Sequence, residues 1–295
     1  MKSLKARRTV LLALIYVILG ISAIIWVLPI IWIVLQSFAG DGGAEAYFIP
    51  KTWTVKNYAY LFGFGSPAYA MTSSMDGFFV KWLMNTLIVA CCCCVISTFF
   101  VLATAYSLSR FRFKGRNTLM KLNLILGMFP GFLGMIILYW VMKSIFHLQG
   151  SFWALVIIYS AGSGMGFFIS KGFFDTISRS IDEAAMIDGA SRSQIFWHII
   201  LPLAKPIVVY TILTSFMAPW GDYITSSYII GLQNSTQWTV AIGLYKWATQ
   251  STTLTPTYYT QYAAGSVVVS IPMIALFMAT QRYYVGGVTG GAVKG

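Results

Sequence analysis

Residues 183–202 read Glu183-Ala184-Ala185-Met186-Ile187-Asp188-Gly189-Ala190-Ser191-Arg192-Ser193-Gln194-Ile195-Phe196-Trp197-His198-Ile199-Ile200-Leu201-Pro202, a polar island between long apolar stretches. Just upstream, Ser180-Ile181-Asp182-Glu183 has the form of a capping box, in which the Ser180 hydroxyl caps a helix and Glu183 reaches back to the cap's own amide. That helix is predicted to stop at Gly189, because glycine takes a left-handed backbone without a side-chain penalty. Ser191-Arg192-Ser193-Gln194 is a second box and predicts another helix as far as Pro202. Residues 180–202 therefore read as two short helices joined by a glycine turn, a docking element and not a membrane span.

Outward from the island the chain is lipid-soluble. Only 9% of the 295 residues are charged, against roughly 25% in a soluble domain, and the mean hydropathy is +0.74. A helical span needs roughly 20 mainly apolar residues at about 1.5 Å rise each. Six stretches qualify, at approximately 9–37, 82–108, 118–142, 152–174, 206–231 and 260–281. The first run is too long for the apolar core of a secretory signal and lacks a small-residue cleavage site, so it is expected to stay as an uncleaved span. This composition also excludes the DNA-binding helix-turn-helix, which shares the glycine turn.

The net charge of +12 is placed for a membrane and not for nucleic acid. With the amino terminus inside, the cytoplasmic segments hold Lys2, Lys5, Arg7, Arg8, Arg110, Arg112, Lys114, Arg116, Lys121, Lys171, Arg179, Arg192, Lys205, Arg282 and Lys294, most of the 20 basic residues. The positive-inside rule then puts both termini and the polar island in the cytoplasm. Between the second and third spans, the basic, aromatic run Ser109-Arg110-Phe111-Arg112-Phe113-Lys114-Gly115-Arg116 is expected to anchor on anionic headgroups.

The order Glu183-Ala184-Ala185, Gly189, Ile199, Leu201, Pro202 resembles the EAA loop of the permease subunits of bacterial ABC importers. The resemblance implies an all-α membrane protein of six transmembrane helices with the type I importer permease fold, forming one transmembrane domain over 1–295. It also implies that the loop seats in a cleft of a separate ATP-hydrolysing subunit. Glu183, Ala184, Ala185, Asp188, Gly189, Ile199, Leu201 and Pro202 would be the coupling residues, with Ala184 and Ala185 small enough for close approach. Pro272 and the tail Gln281-Arg282 to Gly290-Gly291 and Lys294-Gly295 look like the carboxyl terminus of the maltose-importer subunit MalG. Ala105-Tyr106-Ser107-Leu108 before the basic run is similar to carbohydrate-importer permeases as well. The implied partners are a second homologous permease subunit, two copies of an ABC ATPase, an extracellular sugar-binding protein and membrane lipid, with no nucleic acid. The implied cargo is maltose, maltodextrin or a related oligosaccharide, carried across a bacterial inner membrane.

Several residues are candidates for the path. Met128-Phe129-Pro130-Gly131 in the third span and Pro219-Trp220-Gly221-Asp222 in the fifth interrupt helix hydrogen bonding, which neighbouring helices or a water-filled cavity must make good. Asp222 either faces that path or caps and pairs locally near the outer interface. The outer segment Leu232–Thr257 mixes hydroxyls and amides with Trp238, Tyr245, Trp247 and Tyr258, a composition that suits either sugar or a headgroup belt. By position alone residues 246–257 match the loop that in maltose-type importers enters the binding protein, with Tyr245, Trp247, Thr253 and Thr255 as contacts.

Enzyme chemistry has no purchase here. No Gly-x-x-x-x-Gly-Lys-Ser/Thr loop occurs, so ATP and Mg are expected to be used by the partner ATPase, with no cofactor bound by this chain. His147 and His198 are too far apart to suggest a metal site. Cys91 to Cys94 are consecutive, so on a helix they point about 100° apart and read as small span residues. Asp175, Asp182, Glu183 and Asp188 are expected to cap helices or meet the ATPase. An ion-coupled secondary transporter would need several ionisable intramembrane sites and internal repeats, and one carboxylate is present. A permease for a different oligosaccharide and a membrane-embedded enzyme are the remaining alternatives.

Overall fold

The computed structural model describes residues 2–40, 47–64, 77–161, 166–250 and 257–292. Among them the chain is helical, apart from loops and one isolated antiparallel bridge between Ala39 and Trp53. In chain order the helices are α1 (Lys2–Ser37), α2 (Lys56–Leu61), α3 (Phe79–Arg110), α4 (Arg116–Gly127), α5 (Gly131–Ser144), α6 (Phe152–Ala161), α7 (Gly166–Thr176), α8 (Arg179–Ile187), α9 (Arg192–Gln194), α10 (Leu201–Leu203), α11 (Lys205–Gly221), α12 (Tyr223–Ile230), α13 (Val240–Gln250) and α14 (Thr257–Ala292). A π turn, Ile195–Ile200, joins α9 to α10. The glycine-rich tail continues α14 as far as Ala292.

Among the described residues, four segments are long and apolar enough to cross a membrane: Arg7–Ser37, Phe79–Arg110, Phe152–Thr176 and Tyr259–Tyr283. Two sharply bent helix pairs bring the number to 6 if each is one span. The predicted third span, 118–142, is one of these pairs and is not straight: α4 and α5 meet at 103°. Pro130 is the cause. It has no N–H to donate to the turn before it, and it excludes Phe129 from regular helix. The amides of Met128 and Phe129 close back on Ile125 and Leu126 instead, and Pro130 itself is extended (φ −55°, ψ 127°). The predicted fifth span, 206–231, is likewise divided at Asp222, whose ψ of 87° ends α11 before α12 begins.

The described residues form two compact units. The first comprises Met1–Phe79 and Leu244–Val268. Within it α1 is apolar on every side, from Leu11 (58% exposed) to Trp26 (78% exposed), as a helix surrounded by hydrocarbon would be. Its last carbonyls have no partner inside the helix. Buried Asn57 answers this by donating to the carbonyls of Ser37 (3.0 Å) and Ala39 (2.9 Å). Trp247 is buried in this unit and stacks on Phe79, with ring centroids 6.0 Å apart.

The second unit comprises Val80–Gly243 and Val269–Gly295. The loop after α12 is pinned to α3 by hydrogen bonds to its backbone: Trp82 Nε1 donates to Ser235 O (2.8 Å), Asn85 Nδ2 to Thr236 O (3.0 Å) and Trp238 O (2.9 Å), and Val240 N to Thr86 Oγ1 (2.9 Å). Gly243 sits against Trp82 so closely that a Cβ would fall within the indole. The cysteines lie around α3 as helical geometry requires, with Cys91 exposed and Cys93 buried. At the other end of the unit, Tyr106, Phe174, Ala185, Ile195, Phe196, Ile200 and Ala204 share one apolar cluster. That cluster is the floor on which the polar island rests.

Candidate functional site

The island forms the two helices its residues call for, with the first cap displaced. The N-cap of α8 is Ser178 and not Ser180: the Ser178 hydroxyl accepts from Ser180 N at 3.3 Å. Ser180 is instead helical, and no capping box at Glu183 forms. The amides of Gly189 and Ala190 donate to the carbonyls of Met186 (3.1 Å) and Ala185 (2.9 Å), which is a Schellman closure. Gly189 carries it at φ +84°. The second box is present in full, with Ser191 Oγ accepting from Gln194 N and Gln194 Oε1 accepting from Ser191 N at 2.8 Å. The π turn then relieves Pro202, which cannot donate to the His198 carbonyl and whose ring would crowd it. After Leu203 the chain turns by 86° into α11.

Burial divides the predicted coupling residues. Glu183, Ala184, Asp188 and Gly189 are exposed, and beside them Met186 and Ile187 are 44% and 86% exposed. Ala185 is a correction: it faces inward, buried in the apolar cluster, and its small size serves packing inside this chain. Ile199 and Leu201 also pack against that cluster, while Pro202 is exposed. The outward face is thus Glu183-Ala184 with Met186-Ile187-Asp188, an apolar patch flanked by two carboxylates.

Charged residues whose pairing the linear pattern did not show hold this face in place. Arg110 Nε lies 3.2 Å from Asp182 Oδ2, with the two side chains only 6% and 12% exposed. The same guanidinium donates to Ile177 O at 3.1 Å. Arg179 donates to Ser109 O at 3.0 Å, and Ser109 Oγ donates to Asp175 Oδ1 at 2.6 Å, with Lys171 on the other carboxylate oxygen. Arg192 lies over the Phe111 ring, 4.9 Å from its centroid. The headgroup role expected for residues 109–116 is therefore corrected for Ser109, Arg110 and Phe111, which bind the island, while Arg112 and Lys114 remain exposed. Asp182 is likewise an internal strut, whereas Asp175 binds Ser109 and Lys171 from the surface, its side chain 43% exposed. Sequence reading saw the basic run and the acids, but their pairing spans roughly 70 positions. A cleft of about 170 Å3 remains between α3 and α8, walled by Tyr106, Arg110, Arg179, Asp182, Glu183 and Arg192 among others.

The candidate path residues separate too. Between α3, α5, α6, α7 and α11 lies a cavity of about 470 Å3. Gly131 and Gly134, just past the Pro130 bend, form part of its wall, and Pro130 itself is exposed. Hydroxyl side chains contribute much of the rest: Ser97, Tyr159, Tyr210, Thr211, Thr214, Ser215 and Thr225. Asp222 takes the local role: Oδ1 accepts from Thr225 N and Oδ2 from the Tyr159 hydroxyl, both at 2.9 Å. Pro219 and Trp220 are buried, with Trp220 beside Phe216, and Gly221 is exposed. None of Pro219 to Asp222 lines this cavity.

Of the outer-loop candidates, Tyr245 is 44% exposed. Trp247 is corrected, since at 2% exposure its ring belongs to the core of the first unit. Trp238 is buried as well, with Nε1 donating to Gly231 O, because apolar rings in this segment serve packing before recognition. Thr253 and Thr255 lie outside the described residues.

Residues 98–289 match the family described as the binding-protein-dependent transport system inner membrane component. The chain belongs to this family. It is 35% identical over 294 residues to the galactooligosaccharides transport system permease protein GanQ of Bacillus subtilis (strain 168), with 99% of each chain covered. It is 30% identical over 277 residues to the maltose/maltodextrin transport system permease protein MalG of Vibrio parahaemolyticus serotype O3:K6, with 91% of each covered. Its fold is similar to that in the crystal structure of a bacterial ABC transporter involved in the import of the acidic polysaccharide alginate, with a TM-score of 0.74, 24% identity, and 94% of this chain and 97% of the other covered. The protein is accordingly a multi-pass inner membrane component of a binding-protein-dependent transport system, with the importer permease fold, and its role is transport and not catalysis.

Proposed function

We propose that residues 1–295 form a single transmembrane domain, one of two membrane subunits of an ATP-driven oligosaccharide importer. Its partners would be a second homologous permease, two copies of an ABC ATPase and an extracellular sugar-binding protein. The observation that carries this reading is the outward face of α8. Glu183, Ala184, Met186 and Ile187 are exposed on a helix that is capped at both ends and ion-paired from behind. An isolated protein gains nothing by exposing Ile187 at 86%, and a partner cleft would bury it.

In this mechanism ATP and Mg bind to the partner ATPase and no cofactor binds to this chain. Closure of the ATPase dimer pulls on α8, and the Arg110 and Arg179 contacts pass the displacement to the inner end of α3. The path opens outward to receive cargo from the binding protein, and hydrolysis resets it. Both termini and the island lie in the cytoplasm. The relatives that carry galactooligosaccharides and maltodextrins make these sugars the first cargoes to test.

The test is uptake of maltotriose and galactotriose into proteoliposomes holding the whole complex. Uptake is expected to require ATP, the ATPase and the binding protein, and Glu183→Lys is expected to lose the ATPase during purification while still inserting in the membrane. Uptake driven by an ion gradient without ATPase would overturn the reading, as would normal ATPase retention and transport in the variant.

A further inference from the structure

The cavity beside Tyr159 has a chemistry of its own, carried by side chains from α3, α6, α11 and α12. Several of its hydroxyls have already committed their protons inside the protein. Thr211 Oγ1 donates to Ile207 O at 2.8 Å, Thr214 Oγ1 to Tyr210 O at 3.0 Å, and the Tyr159 hydroxyl to Asp222 Oδ2 at 2.9 Å. A hydroxyl has one proton and two lone pairs; Ser226 Oγ lies 3.3 Å from the Tyr159 hydroxyl and Ser170 Oγ 3.4 Å from Thr211 Oγ1, so each of these oxygens keeps a lone pair to accept with and no proton to donate. Ser215 and Tyr210 add further hydroxyls to the wall, and Met135, Leu138, Ile158 and Ile169 supply apolar surface.

Charge is the second consideration. None of the described residues lining the cavity carries a formal charge, and immediately behind Tyr159 stands the carboxylate of Asp222. An anionic guest would meet acceptors and a nearby negative charge with no cation to compensate, which is costly away from bulk water. A neutral polyhydroxylated guest meets the opposite situation. Its O–H groups donate to the waiting oxygens, and its C–H faces lie on the apolar side chains. The volume of about 470 Å3 is of the size that holds a small ligand.

We propose that this subunit itself contacts the cargo during passage, through the acceptor-rich wall of Tyr159, Tyr210, Thr211, Thr214 and Ser215, and that it passes uncharged saccharides and rejects uronates. The inference rests on the importer reading above and adds the site and the charge class. It also separates the cargo from that of the alginate importer, whose fold this chain shares. A helix of the companion permease filling the cavity is the competing occupant.

The test uses proteoliposomes holding the complete complex with its binding protein, and follows labelled maltotriose, galactotriose and trigalacturonate. The quantity read is sugar delivered per ATP hydrolysed, which separates a loss of contacts along the path from a loss of hydrolysis. Tyr210→Phe and Thr214→Val remove hydroxyls and leave shape nearly unchanged. The double variant is expected to deliver roughly tenfold less neutral sugar per ATP, the loss of one or two net hydrogen bonds, with stimulated hydrolysis within about twofold of wild type. Thr214→Ser, which restores the hydroxyl, is expected to behave as wild type. Unchanged delivery per ATP in the double variant overturns the proposal and leaves the importer reading intact, as packing against a companion helix would predict. A matching fall in hydrolysis overturns it in favour of a structural role. Trigalacturonate uptake equal to that of maltotriose overturns the charge class. Absence of ATP-dependent uptake of both neutral probes by wild type overturns this proposal and the importer reading together.

Discussion

Arg110 and Asp182 show how a residue acquires its role from what stands opposite it. Either side chain alone in water would be an ordinary solvated charge. Held 3.2 Å apart at 6% and 12% exposure, they are a buried ion pair, with Ile177 O also accepting from the guanidinium. Removing one partner leaves an uncompensated charge, so Arg110→Ala is expected to destabilise the α3–α8 contact by about 3–5 kcal/mol. Replacing both with apolar residues of similar volume, Arg110→Met with Asp182→Leu, is expected to recover most of that loss. Thermal unfolding of the purified complex, run as a double-mutant cycle, checks both numbers, and a single variant as stable as wild type would remove the strut. At this scale the linear pattern was a partial guide. Gly189 was legible because a turn closing a helix with positive φ selects glycine. Ser178 against Ser180 was not, because each offers a hydroxyl near a helix start and only the backbone decides which one reaches a free amide.

At the scale of elements, the breaks matter more than the helices. Apolar runs predicted six membrane-crossing segments, but Pro130 bends the third and Asp222 divides the fifth, and residues beside both breaks build the cavity wall. The outer loop 231–239 is a second such case. Its composition suited either sugar or a headgroup belt, and in the fold its carbonyls accept from Trp82 and Asn85 on α3. Gly243 at the start of α13 completes that joint, since the Trp82 indole occupies the space where a Cβ would sit. Gly243→Ala is expected to force the indole aside and to cost about 1–3 kcal/mol, as overpacking of a close contact does. Thermal unfolding, together with the tryptophan fluorescence of the complex, measures this. Unaltered stability would mean that the indole can shift freely.

At the scale of the whole molecule, orientation is the property that the distribution of charge addresses directly. Basic residues gather in the segments assigned to the cytoplasm, and the island that carries the docking face falls in the same compartment. Single cysteines placed at the amino-terminal segment and at residue 188, in a background with Cys91 to Cys94 replaced by alanine, are therefore expected to react with a membrane-impermeant thiol reagent only after the cells are opened. Labelling of either site in intact spheroplasts would reverse the topology and with it the docking role of α8. Hydrophobicity and charge act through the bilayer on the chain as a whole, and that is why so coarse a feature can be read without coordinates.

What the sequence determined by itself follows from interactions that are local or averaged: span-length apolar runs, the glycine at a helix end, and a residue order close enough to the EAA loop to point to a family that residues 98–289 match. The tertiary structure decided which face each residue presents. Ala184 turns outward and Ala185 inward, though they are chemically identical neighbours, because successive positions on a helix point about 100° apart and only the floor beneath α8 selects between them. Trp247 went to the core and Asp222 to Tyr159 for the same reason. The partner of a side chain lies tens of residues away along the chain, and its identity depends on the packing of the complete fold.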